Sequence, residues 1–116
     1  MKIIRLYTGT DDQSHFEEME VPFESRGDYG LFSLPEPAKA FFFREIPPGW
    51  DYAWHNVVCR EYVIVVSGEA EIEVGSGEKQ VFAKGDILLA EDTTGQGHRT
   101  RVLGKRVWRQ VFVTLL

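Results

Sequence analysis

The 11 glycines and 5 prolines of this 116-residue chain cut it into short runs rich in β-branched and aromatic side chains. No window sustains the 3.6-residue apolar period of a helix. The chain therefore carries the pattern of strands and turns. Lys2 to Tyr7 and His15 to Val21 read as strands divided by the turn-forming GTDD. From Pro22 to Pro37, three prolines, two glycines and several charges make a loop, expected to cover one end of a barrel. AKAFFFREI puts phenylalanine rings on both faces, so cover is expected on both sides. Pro47, Pro48 and Gly49 form a rigid corner. Tyr62 to Ser67 is continuously apolar, whereas EAEIEV alternates, with Ala70, Ile72 and Val74 inward. Gly75, Ser76 and Gly77 then supply a hairpin turn. KQVFA, DILLA, HRTRVL and RVWRQVFVTLL complete the series, the last apolar on both faces and so either central or buried in a partner. An all-β barrel or sandwich follows. The length suits a single domain over residues 1–116, with a core that needs no disulfide or metal.

Within this series Gly49, His55, Glu61 and Gly68 form a spaced constellation. Read as one extended strand, His55, Val57, Cys59 and Glu61 share a face, which presents an imidazole beside a carboxylate. In HRTRVL, His98, Thr100 and Val102 share a face and Arg99 and Arg101 point away. The apolar Val102 marks that face as inner. If both strands line one interior, His55, Glu61 and His98 converge. Two imidazoles and a carboxylate suit a divalent transition metal such as Fe(II), Mn, Ni or Zn and leave positions open for water or substrate.

These residues resemble the cupin family, whose fold is a small jelly-roll-like barrel, a double-stranded β-helix. Gly49, His55, Glu61 and Gly68 match every spacing of the first cupin motif, and Val57 stands where that motif has its second histidine. Gly85 opens the second motif, but Glu91 and Thr93 occupy its proline and glycine places. His98 arrives two positions late, and Val102 replaces its asparagine. The resemblance runs from Pro47 to Val102 and is closest to small single-domain cupins. It implies a homodimer, because cupins often pack or exchange strands between copies. It also implies a barrel that serves an enzyme, a binding domain or a storage protein.

Each candidate has a plainer reading beside the functional one. Glu61 is either a ligand or the partner of an arginine or of protonated His55, since a buried carboxylate needs a cation or hydrogen bonds. His15, in SHFEE, either supplies the lost ligand or serves an exposed or capping role near Ser14. Cys59 is a soft ligand, a reactive thiol or a small buried apolar side chain. Tyr52, Trp54 and Tyr62 flank the motif as pocket walls or as core, so the expected pocket comprises Val57, Cys59, Tyr52, Trp54 and Thr100. Arg60 alternates outward. Asp92 and Thr93 read as turn residues bonding the backbone, with a proton relay to His98 as the alternative.

A net charge of −5 and a pI near 5.2 give no footprint for nucleic acid. The basic stretch from Arg99 to Arg109 reads as outward strand positions. One cysteine permits no intrachain disulfide, no signal peptide is evident, and no apolar run approaches the roughly 20 residues that span a bilayer. The expectation is a cytoplasmic protein without nucleic-acid or membrane partners. Three functions compete. One is a metal-dependent enzyme of isomerase, lyase or oxygenase type acting on a small polar metabolite. The second is a metal-free binding or sensor module, and the third a structural barrel filled by its own side chains.

Overall fold

The computed structural model describes all 116 residues, and apart from one short 3-10 turn at Gly27–Tyr29 its regular elements are strands. In chain order these are β1 (Lys2–Thr8), β2 (Ser14–Glu20), β3 (Glu24–Ser25), β4 (Leu31–Phe32), β5 (Ala38–Ile46) and β6 (Asp51–His55). Then come β7 (Glu61–Ser67), β8 (Glu69–Glu73), β9 (Lys79–Ala83), β10 (Ile87–Ala90), β11 (His98–Leu103) and β12 (Trp108–Leu115). A six-stranded sheet runs β2-β1-β10-β7-β12-β5 and a four-stranded sheet runs β6-β11-β8-β9. All pairings are antiparallel except β1 with β10. The tight turns expected at GTDD and at Gly75 to Gly77 are present, with Gly9 N–H donating to the Gln13 carbonyl and Gly77 N–H to that of Val74.

Alternation along the strands builds the interior. Leu6, Val63, Val65, Leu88 and Phe112 from the larger sheet meet Ala70, Ile72, Phe82 and Val102 from the smaller in one buried cluster. Burying each large side chain of this set stabilises the fold by about 1.5–3 kcal/mol. Ala70 and Ile72 fall inward as their alternation predicts. β12 lies between β7 and β5, the central position that is one of its two expected places.

Three local expectations need correction. The chain from His55 to Glu61 is not one strand: β6 ends at His55, β7 starts at Glu61, and residues 56–60 cross from one sheet to the other. Val57 N–H donates to the Asp92 carbonyl instead of to a neighbouring strand, which breaks the ladder. β5 is not covered on both faces within this chain, for Phe42, itself 43% exposed, stacks on Phe112 while Phe41 and Phe43 are 68% and 74% exposed on an edge strand. The segment from Pro22 to Pro37 lies along the outer face of the six-stranded sheet and not over a barrel end. Its Pro22, Phe23 and Leu34 border a groove with Ile3, Ile64 and Val113, and Tyr62 Oη donates to Glu36 at 2.9 Å.

Candidate functional site

A cavity of about 200 Å³ opens between the two sheets, and His55, Glu61 and His98 all line it. Each arrives by a different element. His55 closes β6 and pairs across the sheet with His98, the first residue of β11. Just beyond that pair the register slips, so that Thr100 meets Tyr52 and two residues of β6 face one of β11. This bulge brings Tyr52 and His55 to one side, where their rings meet edge to face at 4.4 Å. The imidazoles of His55 and His98 lie 4.3 Å apart between centroids. Glu61 enters from the opposite sheet, sharing the inner face of β7 with Val63 and Val65.

Both rings are oriented by acceptors. His98 Nδ1 lies 2.6 Å from Asp92 Oδ2, and His55 Nδ1 lies 2.8 Å from the Ala53 carbonyl oxygen. A carbonyl oxygen only accepts, and an ionised carboxylate likewise, so Nδ1 carries the hydrogen in both rings. Each Nε2 keeps its lone pair and has no hydrogen-bond partner in the chain. Asp92 is itself fully buried and accepts a second bond from Ser14 Oγ at 2.7 Å. Asn56 steadies the loop that carries Asp92 by donating through Nδ2 to the carbonyls of Asp92, Thr94 and Gly95. Gly97, immediately before His98, has a φ of +78°, and a Cβ there would stand 2.1 Å from the His55 carbonyl oxygen. Only glycine lets the two histidine strands approach this closely.

Burial pushes the His55 imidazole below its usual range, more than the Ala53 hydrogen bond raises it, and the neighbouring His98 adds to the decrease. Burial pushes the Glu61 carboxyl up, against the opposing charge of Arg44. Arg44, on the inner face of β5, also lines the cavity; burial lowers its pKa and the Glu61 charge partly offsets that. Outside the cavity, burial works against charge on Glu91, but hydrogen bonds from Arg5 and Arg60 outweigh it and hold the carboxyl below its usual range.

Of the other expected pocket residues, Val57 and Thr100 line the cavity. Tyr52 and Trp54, 48% and 40% exposed, do not line it; Tyr52 stacks on Trp50 and backs His55 from outside. Cys59 is a half-buried free thiol in the crossing segment, outside the lining. His15 is remote from the cavity and pairs with Asp11 at 2.9 Å. Arg60 points outward to Glu91 and Glu36, as alternation predicts. Asp92 bonds the His98 side chain, where a backbone-bonding turn residue is the simpler expectation. Arg44, Trp108 and Gln110 complete the polar lining unannounced by any motif, their one signal being inward parity on β5 and β12.

The donor set falls short of a metal centre as it stands. No three His, Cys, Asp or Glu side chains are gathered closely enough to hold an ion. His55 and His98 supply two nitrogen donors. What the arrangement offers directly is two proton acceptors, a carboxyl with an elevated pKa and a guanidinium around a small cavity.

No protein-family model matches the chain. It is 37% identical over 46 residues to Oryzines biosynthesis cluster protein J of Aspergillus oryzae, covering 40% of this chain and 26% of that protein. It is 31% identical over 72 residues to Phomopsin biosynthesis cluster protein C' of Diaporthe leptostromiformis, covering 61% of this chain and 36% of that one. The matches thus span between a quarter and somewhat over a third of those relatives. Among solved structures, the cupin domain of Schizosaccharomyces pombe Cnp3 superposes with a TM-score of 0.56 at 16% identity, over 99% of this chain and 82% of that one. A predicted oxalate decarboxylase from Thermotoga maritima superposes with a TM-score of 0.52 at 16% identity, over 98% and 93%. The fold is the cupin fold. At such identities the likeness is one of architecture.

Proposed function

We propose that residues 1–116 act as one cupin domain that takes up a small polar metabolite between its sheets, with His55 and His98 as proton-accepting groups. The observation that carries this reading is the pair of imidazoles lining the cavity, each fixed through Nδ1 with Nε2 left free. The chemistry these side chains supply by themselves is proton transfer, as in an isomerisation or an elimination. The curated relatives are named for biosynthesis clusters, which supports a small-molecule ligand. A thermal-shift screen of small acids, amides and sugars against the chain and its His98→Asn variant tests the reading. A saturable stabilising ligand whose effect weakens in the variant is expected. Equal stabilisation of both proteins would contradict the role of His98.

A second reading follows from the same free nitrogens: a divalent transition metal (Fe, Mn, Ni or Zn) held by His55 and His98, with Glu61 as third ligand after rearrangement. Elemental analysis of untagged protein by mass spectrometry, with His55→Ala beside it, separates the two. Near-stoichiometric metal lost in the variant supports the metal reading. Metal-free protein that still binds a ligand supports the first.

The domain is also proposed to work as a homodimer in the cytoplasm. Support for the dimer comes from the outer face of the six-stranded sheet, where Phe41 and Phe43 continue an apolar surface across Val113, Ile64 and Ile87. Multi-angle light scattering should report twice the chain mass, and one chain mass for Phe43→Glu. A monomer at micromolar concentration would count against the dimer. The free thiol of Cys59 is compatible with a reducing compartment, and no helix is long and apolar enough to cross a membrane.

A further inference from the structure

Arg44, Gln110 and Trp108 enter the cavity wall from β5 and β12 of the six-stranded sheet, and none of their side chains makes a hydrogen bond within the chain. Arg44 on β5 sits directly across the ladder from Gln110 on β12. Its guanidinium lies 5.4 Å from the centroid of the Trp50 ring and 5.7 Å from that of Phe112, and it makes neither an ion pair nor a hydrogen bond. Gln110 is 3% exposed and its Oε1 is buried without a partner. Trp108 is 3% exposed and its indole Nε1–H is likewise unpartnered. All three residues line the cavity.

Buried polar groups are ordinarily satisfied, so unpartnered ones at a cavity wall mark an incomplete site. The half-buried guanidinium of Arg44, with five donors, suits a group that accepts several hydrogen bonds and carries negative charge, and the Trp108 indole N–H adds a further donor, whereas Gln110 Oε1 is itself an acceptor and makes no bond to such a group. The aromatic rings beside Arg44 limit where its planar fork can lie. That fork matches the two coplanar oxygens of a carboxylate. A dianionic phosphate suits the wall less well, because Arg44 is the only Lys or Arg lining the cavity while Glu61 lines it too. The volume, below the ~300–1,000 Å³ of drug-sized pockets, limits the ligand to a small molecule.

Resting on the small-molecule reading above, we infer that Arg44, with Trp108 beside it, anchors the carboxylate of a small organic acid on the six-stranded sheet, opposite the histidines of the four-stranded sheet. Arg44 is then the residue that selects acids over neutral molecules of the same shape. The free ring nitrogens of His55 and His98 face the body of the ligand, and the anchor holds it between the sheets.

Side-chain NMR tests this with defined probes. The Nε–H signal of Arg44 and the indole Nε1–H signal of Trp108 are followed while sodium acetate, acetamide or inorganic phosphate is added at constant ionic strength. Acetate should shift both signals saturably, and acetamide should bind on the order of tenfold more weakly, as charge-assisted hydrogen bonds exceed neutral ones. In Arg44→Gln the Trp108 response to acetate should weaken by a similar factor. Arg44→Lys keeps the stem and charge but not the fork, and should fall between. An Arg44 signal indifferent to acetate, or equal affinities for acetate and acetamide, overturns the inference. So does tighter binding of phosphate than of acetate. If Trp108 responds to acetamide while Arg44 ignores acetate, the anion site fails and the small-molecule pocket survives. If neither probe moves either signal, both fail.

Discussion

Asp92–His98 and Asp11–His15 use the same two side chains at similar separations, 2.6 and 2.9 Å, in opposite surroundings. The first pair is 0% and 6% exposed at its side chains and the second 53% and 40%. Asp11 and His15 are four residues apart across one tight turn and meet in solvent. Asp92 and His98 are joined by a loop that Asn56 and Gly97 hold against the opposite strand, and Ser14 supplies Asp92 with a further donor. His98 then packs against a second imidazole at 4.3 Å on the cavity wall, whereas His15 packs loosely against Tyr7 at 5.8 Å. Burial and second partners, more than the pair itself, distinguish an oriented imidazole from a surface contact.

The contrast predicts a graded set of effects. Asp92→Ala leaves the His98 Nδ1–H and the Ser14 hydroxyl buried without an acceptor and should cost about 3 kcal/mol of stability in urea unfolding. Asp11→Ala should leave the midpoint almost unchanged. Equal losses at the two sites would break the comparison. Gly97→Ala comes next, at about 2 kcal/mol or more, because it combines a left-handed backbone with a clash against the His55 carbonyl; a neutral outcome would mean that the two strands are less closely apposed.

Smaller effects lie in the pH dependence. The His55 pKa is lowered in the folded chain, so the unfolded state takes up the proton first. Its contribution to stability is lost as pH falls from about 6.5 through the lowered folded value. The Glu61 pKa is raised, so its contribution is greatest below the ordinary 4.5 and is lost as pH rises through the elevated folded value. His55→Gln should flatten the first slope and Glu61→Gln the second, both read from urea midpoints across pH 4 to 8. A slope left unchanged in either variant would break the assignment.

Much of the architecture is legible in the amino-acid sequence because strand alternation and glycine placement are local signals. Ala70, Ile72 and Val74 announce an inner face, and the Gly49, His55, Glu61 and Gly68 spacing points to the cupin barrel. The continuous strand read through residues 55–61 fails because periodicity cannot reveal that Val57 bonds to the Asp92 loop and that the chain changes sheets. The triple phenylalanine of β5 suggests cover on both faces, but composition cannot say whether that cover comes from this chain or another. Asp92 resembles any turn residue until Ser14 and His98, distant or on another element, close around it. Arg44 is masked by the same run, its inward parity with Phe42 and Ile46 looking like an outward charge beside Glu45. Long-range pairing produces each of these features, and no local spacing encodes it.

The account's central claim is that His55 and His98 present bare Nε2 atoms to the cavity because acceptors hold both Nδ1 hydrogens. Long-range proton–nitrogen NMR of the three histidine rings, at a pH where all are neutral, measures this directly. The account predicts the Nδ1–H tautomer at His55 and His98, and its loss at His98 alone in Asp92→Ala. An Nε2–H tautomer at either cavity histidine in the unaltered chain would contradict it.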